Sequence, residues 1–296
     1  MTGTLLTLGH GYSSTALAEL LIPQGWRVMG TTRSADRAGA IAATGVEPVL
    51  WQAEPLALAL AQADHLLISA APGPEGDPAL ALIGPQIAAH APRLRWAGYL
   101  STTAVYGDHA GGWVDETTAL TPAAARGKAR VAAEAAWAGI AGMPLHIFRL
   151  AGIYGPGRGP FAKLRAGKAQ RVVKPGQVFS RIHVDDIAQV LAASIARPNP
   201  GAAYNLCDDD PAPPQDVLLY AAELMGVDPP PEVPFDQAEL GPMARSFYAE
   251  SKRVRNDLIK QELGIALRHP DYRSGLRAVM AAEAAEGVVQ DHGQSG

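Results

Sequence analysis

The sequence predicts an α/β protein built on a doubly wound parallel sheet, and three observations carry that prediction. Short apolar runs alternate with helical stretches all through residues 3–102. Those runs lack the in–out alternation of a half-exposed sheet, which marks strands covered on both faces. A glycine-containing turn, Gly9-His10-Gly11-Tyr12-Ser13-Ser14, directly follows the first run.

Each element has its own signal. GTLLTL at 3–8 is a strand buried on both faces, and 13–24 (SSTALAELLIPQ) a helix with Ser13 or Ser14 as N-cap. WRVMGTT at 26–32 is a second strand, and 35–45 a helix ended by Gly45. A third strand at 46–51 and a short apolar helix at 55–63 follow. The fourth strand, 64–72, runs into a Pro/Gly loop; 81–94 is a helix broken by Pro85, and 96–102 is the fifth strand. Alternation at this spacing winds helices onto both faces of a parallel sheet, which binds ligands beyond the carboxyl ends of its strands.

After about residue 155 the texture changes: basic residues cluster at 158–174 and proline at 198–234. The expected organisation is a Rossmann-type NAD(P)-binding domain over 1–155, with 156–296 mainly a smaller C-terminal substrate lobe and 182–206 returning to the first domain. The tail at 286–296 is expected to fray.

Composition narrows the classes. The chain has 296 residues, 48% hydrophobic and 18% charged, with net charge −4, so neither nucleic acid nor a membrane surface is an expected partner. A single cysteine, Cys207, makes no intrachain disulfide or cysteine metal cluster. The amino-terminal segment lacks a basic signal-peptide start, and no apolar run is long enough to cross a bilayer, so a cytoplasmic location is expected.

The opening turn lies between strand and helix, where a dinucleotide fingerprint must lie. Gly9 serves the tight turn, Gly11 the approach of backbone to a pyrophosphate, and the helix-start amides the anion. His10, Tyr12, Ser13 and Ser14 share that contact zone, as do Ala70 and Ala71 after the fourth strand. Ser14 replaces the third glycine by one small hydroxyl. At the end of the second strand, Arg33 and Ser34 stand where an acid would bind a ribose hydroxyl, which favours NADP over NAD.

Residues 101–108, Ser-Thr-Thr-Ala-Val-Tyr-Gly-Asp, resemble the S-[ST]-x-x-VYGD segment of extended short-chain dehydrogenases/reductases, the epimerase/dehydratase-like family. Asp115-Glu116, Thr121-Pro122, RLAGIYGPG at 149–157, RIHVDDIA at 181–188 and Tyr204-Asn205-Leu206 are similar to its later motifs, in order. The segment at 251–264 resembles its small atypical members. The resemblance implies hydride transfer at a nicotinamide, with a Ser/Thr hydroxyl on the substrate, a tyrosine moving the proton and a lysine beneath it.

The resemblance places the Ser/Thr at Thr102. For the helical Y-x-x-x-K, Gly127 and Glu134 fix the register and put Arg126 at the tyrosine and Arg130 at the lysine. Arginine stays protonated and is no general acid/base near neutral pH, although Arg130 remains a donor to the cofactor. Tyr106, Tyr154 and Lys128 are the candidate substitutes. Arg158, Lys163 and Arg181 are candidate substrate contacts, for a small, anionic or nucleotide-sugar-like molecule. His183-Val184-Asp185-Asp186 offers too few ligands for a metal and reads as a helix cap, with Asp185 or Asp186 as N-cap. Two functions follow: a reductase or epimerase with altered catalytic residues, or a catalytically inactive NADP(H)-responsive regulatory module. A homodimer through the small-residue face of the helix at 123–138 is a further expectation.

Overall fold

A computed structural model describes residues 2–293; the tail expected to fray, 286–296, has its side chains and its last three residues outside that description. The chain begins with β1 (Thr4–Leu8), α1 (Tyr12–Leu21), β2 (Arg27–Thr32), α2 (Asp36–Ala42), β3 (Glu47–Leu50), α3 (Ala53–Gln62), β4 (His65–Ile68), α4 (Pro78–His90) and β5 (Trp96–Thr102). Next come β6 (Trp113–Val114), α5 (Ala125–Ala138), β7 (Leu145–Leu150), β8 (Gly152–Tyr154), α6 (Phe161–Arg165), β9 (Arg171–Val173), β10 (Arg181–His183), α7 (Val184–Ala196) and β11 (Ala203–Leu206). The rest is α8 (Pro214–Met225), β12 (Glu232–Pro234), α9 (Pro242–Phe247), β13 (Arg253–Val254), α10 (Asp257–Leu263) and α11 (Tyr272–Gly293).

Seven strands form one parallel sheet in the order β11-β7-β5-β4-β1-β2-β3. The order runs outward both ways from β1 and β4, so their carboxyl ends flank the topological switch where such sheets open a crevice. The apolar runs are buried throughout: Leu5, Leu6, Leu8, Leu66, Leu67 and Ile68 expose nothing. One face packs on α1, α7 and α10, and the other on α3, α4 and α5. Two buried tryptophans tie helices to this frame. Trp96 donates to Ser194 Oγ at 3.0 Å, and Trp137 to the carboxylate of Asp77 at 2.9 Å.

The short strands build the second lobe in parallel pairs: β8 with β10, β9 with β12 and β6 with β13. Its apolar centre joins Tyr154, Phe161, Ala221, Leu276 and Val279 from β8, α6, α8 and α11. Among the described residues no helix is long and apolar enough to cross a membrane.

Three local expectations are corrected. α1 starts at Tyr12 with Gly11 as N-cap, so Ser13 and Ser14 lie inside the helix, both buried, and cap nothing. Steric demands of the turn outweigh the capping preference of serine there. α4 starts at Pro78, because Asp77 accepts from the amides of Ala79 and Leu80 and so caps it. Pro85 leaves its mark as a kink at Ile83. α7 is capped by His183, whose Nδ1 accepts from Asp185 N at 3.2 Å, and not by Asp185 or Asp186. Asp186 instead accepts from the amides of Arg268 and His269, at 2.6 and 3.1 Å.

Candidate functional site

The turn between β1 and α1 is held from behind. Gly9 N donates to Thr31 Oγ1 at 2.6 Å and His10 N to Thr31 O at 3.2 Å, so the end of β2 fixes the loop. Gly9 has φ +93°, and a Cβ there would stand 2.7 Å from Ala70 N, so the turn and the end of β4 touch backbone to backbone. Ser14 Oγ donates to Gly9 O at 3.3 Å, which makes the third-glycine replacement an internal tie. The His10 ring points inward, between Thr7 Oγ1 at 3.0 Å and Thr15 Oγ1 at 3.4 Å. Burial, then the charge of Arg37, holds it below its usual pKa. Gly11 presents the other aspect: α1 begins there with no side-chain cap, and a Cβ on Gly11 would meet nothing within 4 Å. An uncapped helix start facing open space is the geometry an anion takes up.

Beyond the carboxyl ends of β2, β3 and β4 lies a cleft of about 560 Å³, lined by Arg33, Trp51, Ala71, Glu75 and Asp77 among others. Arg33 is exposed and makes no hydrogen bond or ion pair with any described residue. Ser34, by contrast, closes a small turn with Thr32, its N donating to Thr32 Oγ1 at 3.2 Å. Trp51 was missed by sequence reasoning; its signal was an aromatic residue just past the end of a strand.

At the end of β5, Thr102 Oγ1 accepts from Ala104 N at 3.2 Å, which leaves its own proton to donate. α5 lies against this turn because residue 127 is glycine: a Cβ would stand 2.9 Å from Ala104 O and 2.6 Å from Pro122 Cβ. Arg126 and Arg130 therefore lie one helical turn apart on the part of α5 that packs against the turn at Ala104. Arg130 Nη1 donates to Leu100 O at 2.6 Å and to the Tyr99 hydroxyl at 3.2 Å, so its charge is fastened to β5. Arg126 is exposed and lies 5.6 Å from the centre of the Phe247 ring on α9.

The candidate substitutes stand apart from that pair. The buried Tyr106 hydroxyl donates to Asn205 Oδ1 at 2.7 Å and accepts from Arg149 Nη1 at 3.1 Å. Arg149 pairs with the buried Glu134 at 2.9 Å, and Ser101 Oγ donates to the same carboxylate. The Tyr106 hydroxyl thus both donates and accepts within an internal network, and burial raises its pKa. The Tyr154 hydroxyl is buried with no partner; its ring meets His183 edge-on at 5.2 Å, and burial raises its pKa too. Lys128 is exposed.

The second lobe holds a further cleft of about 550 Å³, to which Lys163 and Arg181 contribute along with Tyr154, Lys168, Tyr248 and Tyr272. Arg158 is not among its lining residues; its guanidinium lies 5.7 Å from the centre of the Tyr12 ring. Tyr12 in turn donates to Pro156 O at 2.9 Å, so the glycine turn and the 154–158 loop meet through one side chain. α9 links the two regions: Gly241, Ala244 and Tyr248, within and beside it, line the cleft, and Phe247 meets Arg126.

His183, Asp185 and His269 bring ligand-type atoms within 4.8 Å of one another. His183 Nδ1 caps α7 and Asp185 Oδ2 lies 3.4 Å from His269 Nε2, while the buried His183 Nε2 has no partner among the described residues. The triad stitches the start of α7 to the segment before α11; His269, 86 residues downstream of His183, was not visible from the sequence motif.

No family model matches the chain. Protein YeeZ of Escherichia coli K12 is 31% identical over 239 residues, which cover 75% of this chain and 84% of that protein. A 3-diazoavenalumate denitrifying reductase of a Streptomyces species is 28% identical over 141 residues, 44% of this chain and 45% of the relative. Among solved structures, a conserved protein of unknown function from Silicibacter pomeroyi is 64% identical, with TM-score 0.91 over 95% of this chain and 99% of its own. The human epimerase family protein SDR39U1, solved with NADPH, shares the fold at 17% identity, with TM-score 0.73 over 94% of this chain and 99% of its own.

Proposed function

We propose that this chain, a relative of Protein YeeZ and a member of the atypical extended short-chain dehydrogenases/reductases, binds NADP(H) across the glycine turn and reduces a small molecule held in the second lobe. Residues 1–155 with 182–206 would hold the cofactor, and most of the remainder the substrate. The pyrophosphate would lie at the uncapped start of α1, where Gly11 leaves room for it. Arg33, without a partner among the described residues, would meet the 2′-phosphate, and Trp51 and Ala71 would wall the adenine end. When bound, this cofactor supplies a hydride at its nicotinamide.

The carrying observation is the pair at the tyrosine and lysine positions. Arg126, beside Phe247, and Arg130, fastened to Leu100 O, bring two guanidinium groups to α5 in place of a phenol and an amine, and a guanidinium is no general acid or base near neutral pH. Thr102 retains a hydroxyl proton for a substrate oxygen. The protein therefore orients substrate and stabilises developing negative charge, while any proton the product needs comes from water. The name of the Streptomyces relative, a reductase, supports reduction over epimerisation.

The fastening of Arg130 to Leu100 O favours one second reading, a cofactor-responsive module without turnover. Calorimetric titration with NADPH, NADP, NADH and NAD tests the first step; absence of binding by all four overturns both readings. Loss of NADPH absorbance on mixing with electrophilic acceptors supports the reductase, and binding without oxidation across such a panel supports the module.

A further inference from the structure

Arg181 is built as a receptor that the chain itself leaves half filled. Its Nη1 donates to Phe179 O at 2.8 Å and to Ala212 O at 3.1 Å, two residues paired in an antiparallel bridge. The guanidinium is thereby fixed, and Nε and Nη2 remain for the cleft that Arg181 lines. Neither has an acceptor among the described residues, and Arg181 forms no ion pair there. Asp208, the acid that acts on it most strongly, is buried, with one oxygen unpartnered, and burial drives that carboxyl well up towards its neutral form. Burial also pulls the Arg181 pKa down, against Asp208, Tyr154, Tyr272 and Asp210, which raise it, and among the described residues no acid pairs with the guanidinium to supply the matching negative charge.

The rest of the cleft says what carries that charge. Lys163 and Lys168 add positive charge, and the one acid in its lining, Glu239, is exposed. Val217, Leu218 and Leu276 give an apolar wall, and no Ser, Thr or Asn lines the cleft. The neutral polar side chains of the lining are Gln170, Tyr154, Tyr248 and Tyr272, fewer than the hydroxyl partners a nucleotide sugar calls for. The Nε–Nη2 edge of an arginine instead matches the two oxygens of a carboxylate.

We infer that the second-lobe cleft binds a carboxylate on the Nε–Nη2 edge of Arg181, with the apolar body of the same molecule against Val217, Leu218 and Leu276. The substrate class is then a small aryl or alkyl carboxylate, a refinement that rests on the reductase reading.

The test is calorimetric titration of the whole chain, with and without NADPH, using cinnamate, octanoate, methyl cinnamate and UDP-glucose. At least one acid should bind, while the ester and UDP-glucose should not. Arg181→Gln should weaken acid binding about tenfold or more, and Arg181→Lys, which keeps charge but loses the fork, by less. The double variant Lys163→Gln/Lys168→Gln changes only exposed side chains and should weaken binding about threefold, in a salt-dependent way. Failure of both acids, stronger binding of UDP-glucose than of either acid, or an unchanged acid affinity in a folded Arg181→Gln would each overturn the assignment. Acid binding through Arg181 without any nucleotide binding would leave this site standing and remove the reductase reading.

Discussion

Arg33→Ala separates the 2′-phosphate assignment from general weakening of the nucleotide site. The side chain is exposed and has no hydrogen bond or ion pair within the described chain, so truncation removes no internal contact. Stability should accordingly stay within about 0.5 kcal/mol of wild type. A charge-assisted contact with phosphate is worth about 1.5–3 kcal/mol, and exposure places this one near the bottom of that range. NADPH affinity should therefore fall about tenfold, while NADH, which lacks the phosphate, should change less than about twofold. Calorimetry at low and at physiological salt reads both, and the NADPH deficit should shrink as salt screens the charge. Equal weakening of NADPH and NADH, or none of either, refutes the assignment.

Two further outcomes follow from the interior. Glu134→Ala leaves Arg149 buried without its partner and frees Ser101, a change that costs about 3–5 kcal/mol, or roughly 5–8 °C in Tm by thermal unfolding; a shift under about 2 °C would mean the pair contributes little. His10 has its folded pKa below the ordinary 6.5, so the fold favours the neutral ring. Its stabilising contribution is complete above about pH 6.5 and is lost as pH falls below that value. The Tm of His10→Gln should fall less than that of wild type between about pH 7.5 and about pH 5.5; identical slopes would deny His10 this role.

Local alternation made the sheet legible, since strands buried on both faces and short helices leave signals within ten or so residues. The glycine turn was legible for the same reason, although the N-cap was not. Serine's preference for capping is a property of free helix ends, whereas here Thr31 and Ala70 fix the backbone and assign the cap to Gly11. Asp185 and Asp186 misled in the same way, because His183 takes the cap and Asp186 holds the amides of 268 and 269. Gly127 carried the register that sets Arg126 and Arg130 on the part of α5 packed against Ala104, a motif visible in sequence because close approach admits only glycine. Phe247 and His269 were illegible, since each reaches its place from a segment remote from the motif it joins. The second lobe was the least legible part: proline at 198–234 suggested irregular chain, yet α8 runs from Pro214 through Met225 with proline confined to its first turn.

The central claim, a dinucleotide held at the start of α1, is tested most directly by NADPH titration of Gly11→Val. Gly11 has φ −131° and ψ −162°, a conformation valine adopts readily, and its Cβ would enter open space. The fold should lose no more than about 1 kcal/mol, from the poorer N-cap, while the new side chain occupies the place of the pyrophosphate. The account predicts a folded variant whose NADPH affinity has dropped at least about a hundredfold. A folded Gly11→Val that binds NADPH as wild type does would contradict it.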